Sequence, residues 1–105
     1  MAYGLKEKEI EGLRNIFSSN IHVEKAILFG SRAKGNYKPF SDIDITLEGD
    51  QLTHKDLMQL CSAIDDLLMP YELDLSLKKD IKNTALLEHI NRVGIALYTR
   101  QQPLA

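Results

Sequence analysis

Along residues 6–18 the apolar positions Ile10, Leu13, Ile16 and Phe17 recur every three or four residues with lysine and glutamate between them, which predicts a helix with one buried face. The period then changes. Over 23–29 it is lost, Ile27, Leu28 and Phe29 run together, and Gly30 ends the run as at a buried strand. A short helical turn is expected at 31–34, before Gly35, Asn36 and Pro39 break regularity. Over 42–47, Ile43, Ile45 and Leu47 alternate with Asp42, Asp44 and Thr46, the period of a strand with one face in the core. Thr53 and Asp56 form a capping-box pattern, and Leu57, Leu60, Cys61, Ile64, Leu67 and Leu68 continue as a helical stripe that Pro70 ends. Over 71–77 Leu73, Leu75 and Leu77 alternate with Glu72, Asp74 and Ser76. A last helix carries Ile81, Ala85, Leu86, Ile90 and Val93, with Gly94 expected as a left-handed cap and 95–98 as a fourth strand.

This order implies an α/β chain with a small mixed sheet flanked by helices, and 105 residues suit one domain spanning 1–105. A hydrophobic share of 44% and a charged share of 27% are those of an ordinary globular protein. The net charge of −2 offers no basic surface for long nucleic acid, so any bound nucleotide is expected to be small. No stretch has the uninterrupted apolar length of a signal peptide or a membrane span, and the single Cys61, read as a buried inert thiol, leaves no internal disulfide. The expected location is the cytoplasm.

Two features carry candidate chemistry. Asp42 and Asp44 share one strand face with Cα atoms about 6.6 Å apart, close enough for both carboxylates to lean onto one ion or an adjacent pair. Asp74, if its strand lies alongside, adds a third carboxylate, and mutual repulsion then calls for a hard divalent cation with oxygen ligands, magnesium first. Taken by itself, an aspartate pair on a strand is more often simply solvated surface. Gly30 and Ser31 follow a buried strand directly, where a bare backbone and a hydroxyl can approach an anion, with Arg32, Lys34 and Lys38 supplying positive charge. Gly30, Ser31 and Arg32 are the candidate nucleotide-binding residues.

Two other patterns fail on inspection. The stretch GSRAKG opens like a phosphate-binding loop, but Asn36 and Tyr37 stand where lysine and a hydroxyl residue are needed. Asp42-Ile43-Asp44-Ile45-Thr46 has the form of a phosphatase D-x-D-x-T, yet these acids start a strand where that chemistry needs them to end one.

Gly30-Ser31, then Ser41-Asp42-Ile43-Asp44 after a short basic loop, then Asp74 on a later strand, together resemble the minimal members of the DNA polymerase beta-like nucleotidyltransferase superfamily. The resemblance covers nearly the whole chain in element order. It implies the nucleotidyltransferase fold and two-metal transfer of a nucleoside monophosphate from ATP or another NTP, with two Mg2+ ions. Asp42 and Asp44 are then the shared metal ligands, Asp74 the third ligand and a candidate proton acceptor, and Gly30 and Ser31 the contacts to the β and γ phosphates. The family further implies a small helical HEPN-type partner, a toxin to which this chain would be the antitoxin, with AMP moved onto a partner hydroxyl. A non-catalytic antitoxin acting by contact is the competing reading, transfer to a small molecule a weaker one, and a homo-oligomer is also open. Only about 28 residues follow Leu77, too few for the extra helical domain of larger members.

His22, His54 and His89 share no ligand spacing and are expected to be solvated or cap-related. Tyr37 and Phe40 either stack on a base or pin their own loop, and Glu72 either joins the acids or faces water.

Overall fold

The computed structural model, which describes residues 1–101, opens with a tight reversal pairing Ala2 with Leu5 and continues into helix α1, Glu7–Ser18. Strand β1, Lys25–Phe29, runs straight into the short helix α2, Gly30–Lys34, which Gly35 ends at φ +88°. Strand β2, Ile43–Glu48, is followed by helix α3, His54–Asp65, whose start is fixed as expected: the Asp56 N–H donates to Thr53 Oγ1 at 3.2 Å and the Asp56 carboxylate accepts from the Thr53 N–H at 2.9 Å. Strand β3, Leu73–Leu77, a single 3-10 turn at Lys78–Asp80, helix α4, Thr84–Val93, and strand β4, Ile95–Thr99, complete the chain. No described helix is long and apolar enough to cross a membrane.

The four strands form one mixed sheet in the order β3-β2-β1-β4. β1 pairs antiparallel with β2 and β4, while β2 and β3 are parallel, the crossover between them being α3. The alternation read in the sequence sorts the two faces. Ile43, Ile45, Leu47, Leu75 and Leu77 turn to one side and are buried under Leu13 and Phe17 of α1 and Leu60 and Ile64 of α3. The other side is covered only in part: Ile90 of α4 packs on Ile27 and Phe29 of β1, forming a second, smaller core. The polar residues of β2 and β3 lie beside that patch.

Four expectations about boundaries and caps are corrected. The α3 stripe stops at Asp65, so Leu67 and Leu68 lie beyond the helix, and Leu68 sits in the left-handed region at φ +54°, 88% exposed. Pro70, which disfavours helical backbone at Met69 and lacks a donor, keeps the helix from resuming beyond that stop. Asp42 lies one residue ahead of β2. Helix α4 starts only at Thr84, where the Asn83 side chain accepts the Leu86 N–H at 3.2 Å, which leaves Ile81 outside it. Gly94 is extended at φ −60°, ψ 141°, and is no left-handed cap. What that position needs is a missing side chain: a Cβ there would collide with the Ile90 carbonyl and come within 2.7 Å of Ile27 Cγ2.

Gly94→Ala is therefore expected to lower stability by about 1–3 kcal/mol, the usual cost of overpacking, read as a lower urea midpoint at unchanged slope.

Candidate active site

Residues directly opposite one another on paired strands share a face, so β2 and β3 present their polar side chains as a ladder. Glu48 accepts from Lys78 at 3.0 Å at one end, and in the middle Ser76 Oγ donates to Thr46 Oγ1 at 3.0 Å. At the other end Asp44 stands in register with Asp74. Two of the three rungs are complementary and the third sets like charges side by side. A sheet built for stability alone has no use for that rung, because like charges directly opposite destabilise a strand pair.

Asp44 feels the consequence. Burial first, then the charge of Asp74, then that of Asp42, push its carboxyl above the usual value, while His89 works in the opposite direction. Asp44 is half-buried; Asp42 and Asp74 are exposed. The strand pairing thus brings the three acids to one patch.

Gly30 follows β1 where Phe29 is paired with Asp44. Its φ is +73°, and a Cβ would strike the Asp44 carboxylate, with Cγ only 3.2 Å away. Glycine is required twice here, for the left-handed turn and for the closeness of the acid. The Gly30 N–H donates to His89 Nε2 at 3.0 Å, which places the proton of a neutral His89 on Nδ1, and the Phe29 ring meets the imidazole edge-on with centroids 6.3 Å apart. His89 is thus part of the site, against the expectation of a solvated residue. The signal was its spacing, three residues after Leu86 and four before Val93, on the inward face of α4. Ser31 is half-buried at the head of α2.

Arg32 is corrected. It is not turned toward a ligand but is 1% exposed, with Nε and Nη2 donating to the Ser41 carbonyl at 3.1 and 2.7 Å, Nη2 also to Pro39 at 3.4 Å and Nη1 to Tyr3 at 2.9 Å. Its guanidinium lies 4.7 Å from the Tyr71 ring centroid and 5.3 Å from that of Tyr37. The residue clamps the loop before Asp42 to the N-terminal turn and to the approach to β3. Tyr37 accordingly pins its own loop, whereas Phe40, 75% exposed, is left free. His22 and His54 lie elsewhere, bonded to Asp56 and Asp80 at 3.0 Å each. Burial chiefly, with the charges of Asp65 and Asp74, raises the half-buried Cys61 thiol, which suits an inert thiol.

The acid patch suits a divalent cation by its chemistry: all-oxygen donors, two of them on neighbouring strands in register, and a carboxylate seated against a bare glycine. Among the described residues no three His, Cys, Asp or Glu side chains are already gathered at ligand separation.

The family model "Polymerase beta, Nucleotidyltransferase" matches residues 11–103. The chain belongs to this nucleotidyltransferase family. No curated protein matches it. Among solved structures, a chain of a toxin–antitoxin crystallised with AMP-PNP is similar at TM-score 0.68 and 25% identity, over 93% of this chain and 77% of that one. The complex of tri-AMPylated Shewanella oneidensis HEPN toxin with MNT antitoxin gives TM-score 0.67 at 19% identity, over 93% and 76%. A putative nucleotidyltransferase from Sulfolobus solfataricus gives 0.57 at 20%, over 91% and 81%. The mixed sheet flanked by helices is the nucleotidyltransferase fold of these neighbours.

For this nucleotidyltransferase, a raised Asp44 pKa means stability that is complete below the ordinary value of 3.8 and is lost as pH rises through the folded value. Asp74→Asn weakens that repulsion, so at pH 7 in EDTA it should gain about 0.2–1 kcal/mol by thermal unfolding. Arg32→Lys, which cannot fork to several carbonyls, should lose about 3 kcal/mol in urea.

Proposed function

We propose that this chain moves AMP from ATP onto a hydroxyl of a small helical HEPN-type toxin, and so acts as that toxin's antitoxin. The observation that carries the reading is the like-charge rung Asp44–Asp74 beside the left-handed Gly30 on the half-open face of the sheet. The family match supports transferase chemistry, and the AMPylated toxin and AMP-PNP among similar structures support AMP, ATP and the partner class.

Asp42, Asp44 and Asp74 would hold magnesium, two ions in this reading. The metal, when bound, stabilises charge on the attacking and leaving oxygens. Asp74, exposed on its strand, is free to take the acceptor proton as the acceptor oxygen bonds to the α phosphorus. The bond from that phosphorus to the bridging oxygen breaks, and pyrophosphate leaves with the electron pair. Ser31 donates to the phosphates. The Gly30 N–H is engaged by His89, so Gly30 serves by its bare α-carbon and its turn. Phe40 offers an open ring face to a base.

A contact-only antitoxin, the competing reading, would need none of the three acids for neutralisation. A single experiment separates the two readings. With α-labelled ATP, magnesium and a HEPN-type companion, the parent chain should label the companion, EDTA should stop it, and Asp42→Asn or Asp44→Asn should each cut labelling by about a thousandfold. Equal labelling by the parent and the double variant overturns the transfer reading. Full neutralisation by the double variant establishes the contact-only one.

A further inference from the structure

The two edges of the sheet are finished differently. β4 carries a register shift opposite Ala26/Ile27, and the carbonyl of its residue Leu97 accepts a hydrogen bond from Arg14 Nε at 2.7 Å. A bulge and a side-chain plug are two of the devices by which proteins stop an edge from pairing further. β3 has neither. It runs five residues in unbroken register with β2 and contains no proline, bulge or lysine.

The direction of its backbone groups follows from the parallel ladder. The Ile43 N–H donates to the Glu72 carbonyl at 2.9 Å, so Glu72 and every second residue after it, Asp74 and Ser76, turn their backbone groups to β2. Leu73 and Leu75 turn theirs outward, and among the described residues no loop backbone group bonds to them; Leu77 faces the same way but is 1% exposed where the 3-10 turn begins, which closes that end of the edge. Beside this edge lies a groove of about 470 Å³ lined by Asp65, Met69, Tyr71, Glu72 and Leu73 among others, acidic and without a basic side chain among the described residues.

We infer that the free edge of β3 is the docking strand for an extended, basic segment of the acceptor protein. The inference rests on the transfer reading for the nature of the acceptor, and it adds how that acceptor is held. A strand added to β3 lies about 4.8 Å away, with alternate side chains on the face that carries Asp74. A hydroxyl side chain at such a position stands next to Asp74, while lysine or arginine neighbours meet Glu72 and Asp65. The outward amides and carbonyls give affinity without regard to sequence; the acids give the charge preference.

The test titrates the full 15N-labelled chain with a synthetic octapeptide alternating lysine and valine about a central tyrosine. Amide exchange should slow at Leu73 and Leu75 and stay unchanged at Leu97. N-methylation of alternate peptide nitrogens in one phase should weaken binding at least about tenfold, and in the other phase little. Charge reversal by Asp65→Lys with Glu72→Lys should weaken it similarly, as should Leu73→Pro, which deletes an outward N–H and no ladder bond. No binding, protection elsewhere, or equal loss in both phases overturns the inference. So does protection of these amides by self-association without peptide, which would give the edge to a second copy. Docking with no transfer to any acceptor removes the transfer reading alone; transfer to a companion while these amides still exchange freely removes the docking alone.

Discussion

Everything at the candidate site depends on the parallel pairing of β2 and β3 in the register that sets Asp44 opposite Asp74. A one-residue slip would send every side chain of one strand to the wrong face. The register is held from below by Ile43, Ile45, Leu75 and Leu77 under α1 and α3, and from above by the Thr46–Ser76 and Glu48–Lys78 rungs. Apolar burial on one face and two complementary polar rungs on the other therefore keep in place a third rung that opposes folding. The protein tolerates local repulsion at the candidate site, and the rest of the sheet offsets it.

Much of this was legible in the sequence because a period of two is unambiguous about faces. Ile43, Ile45 and Leu47 against Asp42, Asp44 and Thr46 told which side each would take, and the same alternation over 71–77 placed Asp74 on the matching side. Adjacency of the two strands was an inference from the helical connection, and the sheet order bears it out. What pattern could not convey was the fate of single polar groups. Arg32 reads as a positive charge beside a glycine turn, yet its donors go to carbonyls of residues distant from it, and nothing in local composition reveals that. His89 is visible as a residue on the inward side of α4, but its meeting with the Gly30 N–H depends on how that helix crosses β1. Position alone suggests a cap at Gly94, whereas the constraint on it comes from Ile27 on another strand.

The site's position near the sheet edge also shapes its character. α4 covers β1 and stops short of β3, so Asp74 is exposed while Asp44, one strand inward, is half-buried. The two carboxylates of one rung thus differ in environment: one meets solvent, the other meets glycine and histidine.

The manner in which Arg32 is satisfied has a further consequence. Its partners are neutral carbonyls and aromatic faces, and no carboxylate neutralises it within the loop it secures. Dissolved ions weaken attraction between exposed charges but do little to a buried donor lodged against oxygens and rings. The scaffold that presents Asp42 should therefore hold its shape from dilute buffer to concentrated brine, while the repulsion among the acids it presents fades.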